Sequence, residues 1–422
     1  LMKKQSFLLV ILTVMMSGIL SSQVPFGVNL AGAEFGTNMP GTYNIDYTYP
    51  TSSELDYYKS KGLDLVRLPI RWERIQESLN GNINSAELLR LNSFLQSAED
   101  RNIDVIIDLH NYCRYKLNGV YEIIGSPNLS ISDIKDLWTK LSYELKDSPN
   151  IWGYGIMNEP HDLLPSAPWF NIAQEIIYGI RSSDIDTRII VGGDSWSSAE
   201  RWLQYSDNLK ILVDPSNKLI YEAHVYFDND ASGSYNQSYD GEGAYPNIGI
   251  DRVTPFVNWL EDNNLTGFIG EYGIPADDDR WLIVLDNFLS HLEQNCINGT
   301  YWAGGPWWGN YKLSIEPYNG NDKPQMSIVE KYLTTNVNCS TIIYNDLNES
   351  TTELIVYPNP FSNHLFINDI KDGELIEIYD ISGRCYKSKR SKGTMIDGLG
   401  LLMPGIYIVR SQEGLIKKIV KY

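Results

Sequence analysis

The chain has 422 residues, 43% of them hydrophobic, which is long and apolar enough for a large domain plus a small one and excludes wholesale disorder. Asp and Glu outnumber Lys and Arg 53 to 34, for a net charge of −19, which disfavours nucleic acid and anionic membranes as partners. Eleven Trp and 28 Tyr against 11 Phe supply flat faces with polar edges, suited to sugar or interface contacts rather than a purely oily core.

At the N-terminus, Lys3 and Lys4 precede an apolar run from Phe7 to Met16 and the small residues Ser17, Gly18, Ser21 and Ser22. That order of charge, apolar run and small residues predicts a secretory signal over residues 1–23. The run is shorter than the roughly 20 residues of a spanning helix, and no later stretch is apolar enough to span. The mature chain is therefore expected to have no integral membrane segment. Export would permit disulfides. Cys296 and Cys339 are attractive partners, with free buried thiols as the alternative for Cys113, Cys296, Cys339 and Cys385.

From residue 24 to 338, strand-like apolar runs alternate with amphipathic stretches. The runs are Phe26–Asn29, Leu65–Leu68, Asp104–Leu109, Gly153–Met157, Arg188–Gly192, Leu219–Ala223, Thr266–Gly270 and Thr300–Trp302. Helix-like stretches include Ser52–Lys61, Ser85–Arg101, Ile131–Leu145, Trp169–Ile180, Asp251–Asn263 and Trp281–Cys296. Eight such repeats predict an α/β fold, a closed (β/α)8 TIM barrel. An open doubly wound sheet is the runner-up, but Gly27-Val28-Asn29-Leu30-Ala31-Gly32 lacks the glycine spacing of a phosphate turn.

Residues 339–353 read as a polar linker. Residues 354–422 alternate in short strands broken by Asn-Pro, Ser-Gly, Lys-Gly and Pro-Gly turns, which predicts a small β-sandwich. This tail carries ten basic and seven acidic residues and none of the Trp. The composition break marks it as a separate domain.

A barrel of this kind presents reactive groups at the C-terminal ends of its strands. The polar residues there are Arg67, Asp108-Leu109-His110-Asn111-Tyr112, Asn158-Glu159, His224-Val225-Tyr226 and Glu271, with Trp302 at the eighth end. Any one of them alone reads as a solvated loop residue or a satisfied core donor; six strand ends converging on one mouth do not. Glu159 and Glu271, on the fourth and seventh runs, form the carboxylate pair that glycoside hydrolysis needs, one to protonate the leaving oxygen and one to attack or activate water. An Arg beside the second would keep it ionised. The five His show no HExxH or close ligand spacing, so no metal and no cofactor are expected.

At these residues the large domain resembles glycoside hydrolase family 5, the cellulase family, over its whole length. The resemblance rests on Gly27 to Gly36, Arg67, His110-Asn111-Tyr112, Asn158-Glu159-Pro160-His161-Asp162, His224-Val225-Tyr226, Gly270-Glu271 and Trp302. Tyr301 to Gly309 and Asp228 to Gly233 are similar to the endo-β-1,4-glucanase branch nearest the fungal enzymes. The resemblance implies Glu159 as general acid/base and Glu271 as nucleophile, oriented by Arg67 and Tyr226. It implies Asn158 on the sugar 2-hydroxyl, and His110, Asn111 and His224 as sugar-binding or buttressing groups. Trp302 would be a platform for the sugar being cleaved, with Trp196, Trp307 and Trp308 stacking flanking units or packing loops together. Cys113 and Val225 depart from the fungal pattern without touching that chemistry.

The tail resembles a type IX secretion sorting domain, through Val356-Tyr357-Pro358-Asn359-Pro360-Phe361, Ile378 to Arg384, Pro404-Gly405-Ile406-Tyr407 and the ending Lys417 to Tyr422. It implies a secretion machinery as partner and a secreted or surface-attached protein, exported through a bacterial outer membrane. A carbohydrate-binding module is the alternative, disfavoured by the lack of Trp. The expected activity is retaining hydrolysis of internal bonds in cellulose or a related β-glucan. Alternatives are mixed-linkage glucan, xyloglucan or mannan as substrate, or a non-catalytic glucan-binding surface protein.

Overall fold

The computed structural model describes residues 26–333 and, further on, 356–357, 359–367, 373–380, 385–390, 395–396, 398–411 and 416–421. The expected signal and linker lie outside these described residues. The chain separates into two compact units between Ile343 and Tyr344.

In the first unit eight strands pair in parallel around a closed ring: β1 (Gly27–Leu30), β2 (Leu65–Ile70), β3 (Asp104–Leu109), β4 (Ile151–Gly155), β5 (Arg188–Gly192), β6 (Leu219–Tyr226), β7 (Gly267–Gly273) and β8 (Asn298–Gly304), with β8 returning to β1. The outer helices are α1 (Ser52–Ser60), α2 (Ser85–Glu99), α3 (Ile131–Leu145), α4 (Trp169–Arg181), α5 (Ile248–Asn263) and α6 (Arg280–Gln294). This is the TIM barrel. Strands such as Asp104-Val105-Ile106-Ile107-Asp108-Leu109 are nearly continuous apolar runs because helices cover one face and the lumen fills the other. Thr51 with Glu54 and Ser130 with Asp133 close capping boxes that start α1 and α3.

Three details differ from the sequence reading. A hairpin of Arg114–Leu117 and Val120–Ile123 follows β3. Between β5 and β6 the helical layer shrinks to Trp202–Tyr205 and a 3-10 turn, Asp207–Ile211. And β6 runs three residues past Ala223, which puts His224 and Tyr226 on the strand itself.

The lumen is graded from bottom to mouth. Leu65, Ile106, Trp152, Ile190, Ile220 and Phe268 form an apolar cluster of their own. One alternation further along the strands come Asn29, Arg67, Asp108 and Glu222, all buried and polar. Because each strand continues the same face toward its C-terminal end, this polar layer lies directly under the mouth. Its charges are what the site is built on.

In the second unit, the described strands form two antiparallel sheets. One joins Val356–Tyr357, Leu365–Ile367 and Met395–Ile396; the other joins Leu375–Asp380, Cys385–Arg390, Gly405–Ser411 and Ile416–Lys421. Phe361, Leu365, Ile367, Ile376, Ile378, Val409 and Ile419 share one buried core. Alternation along the strands produces this: Ile376 and Ile378 are buried while Glu377 between them is not. Cys113 and Cys385 are free, and Cys296 is disulfide-bonded; Cys339 lies outside the described residues. Among the described residues no helix is long and apolar enough to cross a membrane.

Candidate active site

Glu271 reaches the lumen through an irregularity. Along β7, Phe268 points into the barrel floor and Ile269 into the helical core, so strict alternation would turn Glu271 outward. The β6–β7 register shifts between Ala223/Ile269 and His224/Glu271, and this bulge re-aims the carboxylate inward. Glu159 stands beyond the end of β4 in a left-handed backbone conformation, φ 42°, uncommon for a non-glycine residue and costing on the order of 1 kcal/mol. An oxygen of Glu159 and an oxygen of Glu271 lie within 4.8 Å of each other.

Arg67 organises the layer beneath. Its guanidinium is wholly buried; Nη1 donates to Asn29 Oδ1 at 2.9 Å and to Glu271 Oε1 at 3.1 Å. Nη2 donates to Asn158 Oδ1 at 2.7 Å and to Glu222 Oε1 at 3.0 Å, and lies 3.0 Å from Asp108 Oδ1. The second oxygen of Glu271 accepts from the Tyr226 hydroxyl at 2.8 Å. His224 bridges two carboxylates, with Nδ1 at 2.8 Å from Glu159 Oε1 and Nε2 at 3.0 Å from Glu222 Oε1. Burial alone would lower the His224 pKa, but Glu271, Glu159 and Glu222 outweigh it and lift it to about 10. Both nitrogens therefore carry protons and donate. Glu159, His224 and Glu271 each bring one ligand-type atom within 4.8 Å of the other two.

His110 is the opposite case. Burial lowers its pKa to about 3, so it is neutral, with Nδ1 donating to Asp108 Oδ2 at 2.8 Å and Nε2 accepting from the Tyr112 hydroxyl at 3.0 Å. The cluster holds two cations, Arg67 and His224, against four carboxylates, Asp108, Glu159, Glu222 and Glu271. A buried excess of negative charge is costly, so protons are drawn into the cluster. Burial lifts Asp108 to about 7 against the pull of Arg67. Glu271 is also raised: burial and Glu159 outweigh His224 and Arg67. The sequence expectation of a Glu271 kept charged by Arg67 and Tyr226 is reversed in net direction by desolvation.

The aromatic residues divide into two groups. Trp302 stacks on His110, with ring centroids 5.5 Å apart and planes 11° from parallel, and its Nε1 donates to the Tyr311 hydroxyl. Trp308 stacks on Tyr311 and meets Phe35 and Trp302 edge-on; Trp307 is 42% exposed. On the other side Trp196, 40% exposed, stacks on His161 at 4.4 Å. Trp196, Arg201, Tyr226, Ser232 and Arg252 line a cleft of about 480 Å³ that opens onto Glu159 and His224.

Asn111 does not join the site. Its Oδ1 accepts from the Trp72 amide, and its Nδ2 donates to Glu73 Oε2 and the Arg114 carbonyl; with every polar atom engaged, it pins the start of the β3 hairpin and has nothing left for a ligand. Asn29, Glu222 and Tyr311 were missed by the sequence reading. Glu222 had a signal: it is two residues before His224, on the same face of one strand.

A (β/α)8 barrel that joins a carboxylate pair, a buried Arg and clustered aromatic rings at the C-terminal ends of its strands has the arrangement of a glycoside hydrolase. The model of the cellulase family, glycosyl hydrolase family 5, matches residues 27–307. Endo-beta-1,4-glucanase B of Aspergillus niger is 36% identical over 313 residues, 73% of this chain and 90% of that protein. The crystal structure of Pseudomonas stutzeri endoglucanase Cel5A in complex with cellobiose superposes with a TM-score of 0.71 at 41% identity, covering 74% of this chain and 93% of that one. The chain belongs to the cellulase family of glycosyl hydrolases and is an enzyme of that family. The secretion system C-terminal sorting domain model matches residues 355–422; the tail marks the chain for export, to secretion or attachment at the cell surface.

Proposed function

We propose that the chain is a secreted endo-β-1,4-glucanase that hydrolyses internal bonds of cellulose or a related β-glucan with retention of configuration. The observation that carries the reading is the close approach of the Glu159 and Glu271 oxygens, within 4.8 Å. Retaining enzymes hold their carboxyl groups about 5–5.5 Å apart, whereas inverting ones leave about 6.5–9.5 Å for a water. The relatives' names support the β-1,4-glucan substrate, as does the cellobiose bound to the Pseudomonas stutzeri enzyme.

In the first step Glu271 attacks the anomeric carbon while the carboxylic acid of Glu159 protonates the departing oxygen. The glycosidic bond breaks and a glycosyl ester on Glu271 forms. Arg67 and Tyr226 hold one oxygen each of Glu271, fixing the attack direction and stabilising the carboxylate as it leaves later. The leaving chain departs along the cleft beside Glu159, over Trp196. In the second step the Glu159 carboxylate takes a proton from water, the water oxygen attacks the anomeric carbon, and Glu271 is released. Asn158, anchored by Arg67, is placed for the 2-hydroxyl, and Trp302 lies under the sugar being cleaved. The tail docks with the secretion machinery during passage across an outer membrane.

The test is a panel of soluble cellulose, mixed-linkage glucan, xyloglucan and mannan, followed by viscosity and reducing ends. Fastest hydrolysis of the β-1,4-glucan, with viscosity falling ahead of reducing ends, is the expected result. Preference for mannan, or release of ends without loss of viscosity, would overturn it.

A further inference from the structure

The buried carboxylate of Glu222 touches neither proposed catalytic glutamate, yet it touches the support of each. Its Oε1 accepts from Arg67 Nη2, whose other arm binds Glu271, and from His224 Nε2, whose other nitrogen binds Glu159, both at 3.0 Å. Its Oε2 is buried without a hydrogen-bond partner. The neighbouring strand leaves room for it: a Cβ on Gly270 would come 2.5 Å from the Glu222 carboxyl, so a side chain at that β7 position would push Glu222 off both cations.

We propose that Glu222 is a positioning residue that, through one oxygen shared by Arg67 and His224, holds His224 as an imidazolium and locks the two glutamates into a single charge network. The inference rests on the assignment of Glu159 and Glu271 above. The arrangement answers a physical difficulty. Burial is the largest single influence on the ring and favours loss of its proton, so the charge on His224 depends on the carboxylates around it, Glu271 and Glu159 together with Glu222. A neutral ring could donate to only one of its two carboxylates, leaving the other against a lone pair. Glu222 on β6, Glu159 beyond β4 and Glu271 on β7 face the ring at 3.0, 2.8 and 3.6 Å, with Arg67 on β2 and Asp108 on β3 behind them. Glu222 is the one of the three that no reaction step requires, so its charge stays constant while Glu159 gains and loses a proton. The proton on His224 is then retained through the cycle, and Glu159 keeps one oxygen held and one free to face the substrate.

The experiment uses the full chain and Glu222→Gln, which preserves shape and removes the charge. Expected is a folded protein whose kcat falls at least about tenfold with KM changed less than about twofold, and whose alkaline limb of kcat/KM moves to lower pH. In parallel, 15N NMR of histidine-labelled protein, with the His224 resonances assigned by their loss in His224→Gln, should show both ring nitrogens protonated at neutral pH in the parent chain. In Glu222→Gln the ring should turn neutral at a lower pH. A neutral His224 ring in the parent chain overturns the proposal without any need for the variant to fold. So does a Glu222→Gln enzyme with unchanged kcat and an unmoved limb. Full activity in Glu271→Ala would instead remove the catalytic assignment, a result separate from the NMR readout.

Discussion

Glu159 and Glu271 bring an oxygen each to within 4.8 Å of the other, and the His224 Nδ1 reaches both, at 2.8 and 3.6 Å. Two carboxylates this close disfavour each other's charge, and the His224 imidazolium beside both eases that repulsion. The chemistry proposed for the pair follows from that arrangement, and so do the consequences of disturbing it.

Glu271→Ala is expected to lower kcat by about four orders of magnitude or more, as loss of a nucleophile does. Added azide should restore part of the rate, delivering an α-glycosyl azide because the small anion enters from the face the carboxylate left. Mass spectrometry and NMR of the product check this. Turnover at the parent rate would place the nucleophile elsewhere.

Arg67→Met leaves Asp108, Glu222 and Glu271 without their shared cation. Breaking a buried ion network in this way costs about 3–5 kcal/mol, and the melting temperature should drop by roughly 5–10 °C. The loss should shrink at acid pH, where the abandoned carboxylates take up protons. Thermal melts at several pH values measure both effects, and equal loss at every pH would show that the carboxylates do not depend on Arg67.

The His224 pKa, raised from an ordinary 6.5 to about 10, sets an alkaline stability window. A base with a raised folded pKa stabilises the fold fully below its unfolded value, and that contribution is lost as pH rises through the folded value. Asp108 and Glu34, lifted by burial to about 7, obey the same sign, and their contribution is already gone above about pH 8. Between about pH 8 and 10 the decline in melting temperature should therefore be steeper in the parent chain than in His224→Gln. Parallel curves would deny His224 its charge.

Trp196→Ala should weaken binding on the leaving-chain side. An aromatic stack worth about 0.5–1.5 kcal/mol corresponds to roughly a two- to tenfold rise in KM for long oligosaccharides, with short ones affected less. Uniform change across chain lengths would assign Trp196 to loop packing against His161.

Much of this was legible in the sequence because a parallel barrel writes itself plainly: both faces of each strand are covered, so strands appear as apolar runs and their polar ends stand out. Arg67, Asn158, His224, Tyr226 and Glu271 were all found at such ends. What was hidden depended on register and on distance across the lumen. Nothing local tells that β7 bulges at Gly270 to turn Glu271 inward, or that Glu222 faces Arg67 from across the barrel. Asn111 misled for the same reason: next to His110 in sequence, it turns away and ties down the hairpin. The net upward push on Glu271 was invisible because burial is a property of the assembled lumen and not of any neighbour in the chain.

The most direct test of the central claim is the anomer first released from a β-1,4-linked cello-oligosaccharide, followed by 1H NMR before mutarotation. Double displacement through Glu271 predicts that the β-anomer appears first and the α-anomer grows in later. Initial appearance of the α-anomer would contradict the account, since it would mean a single displacement by water with no glycosyl intermediate on Glu271.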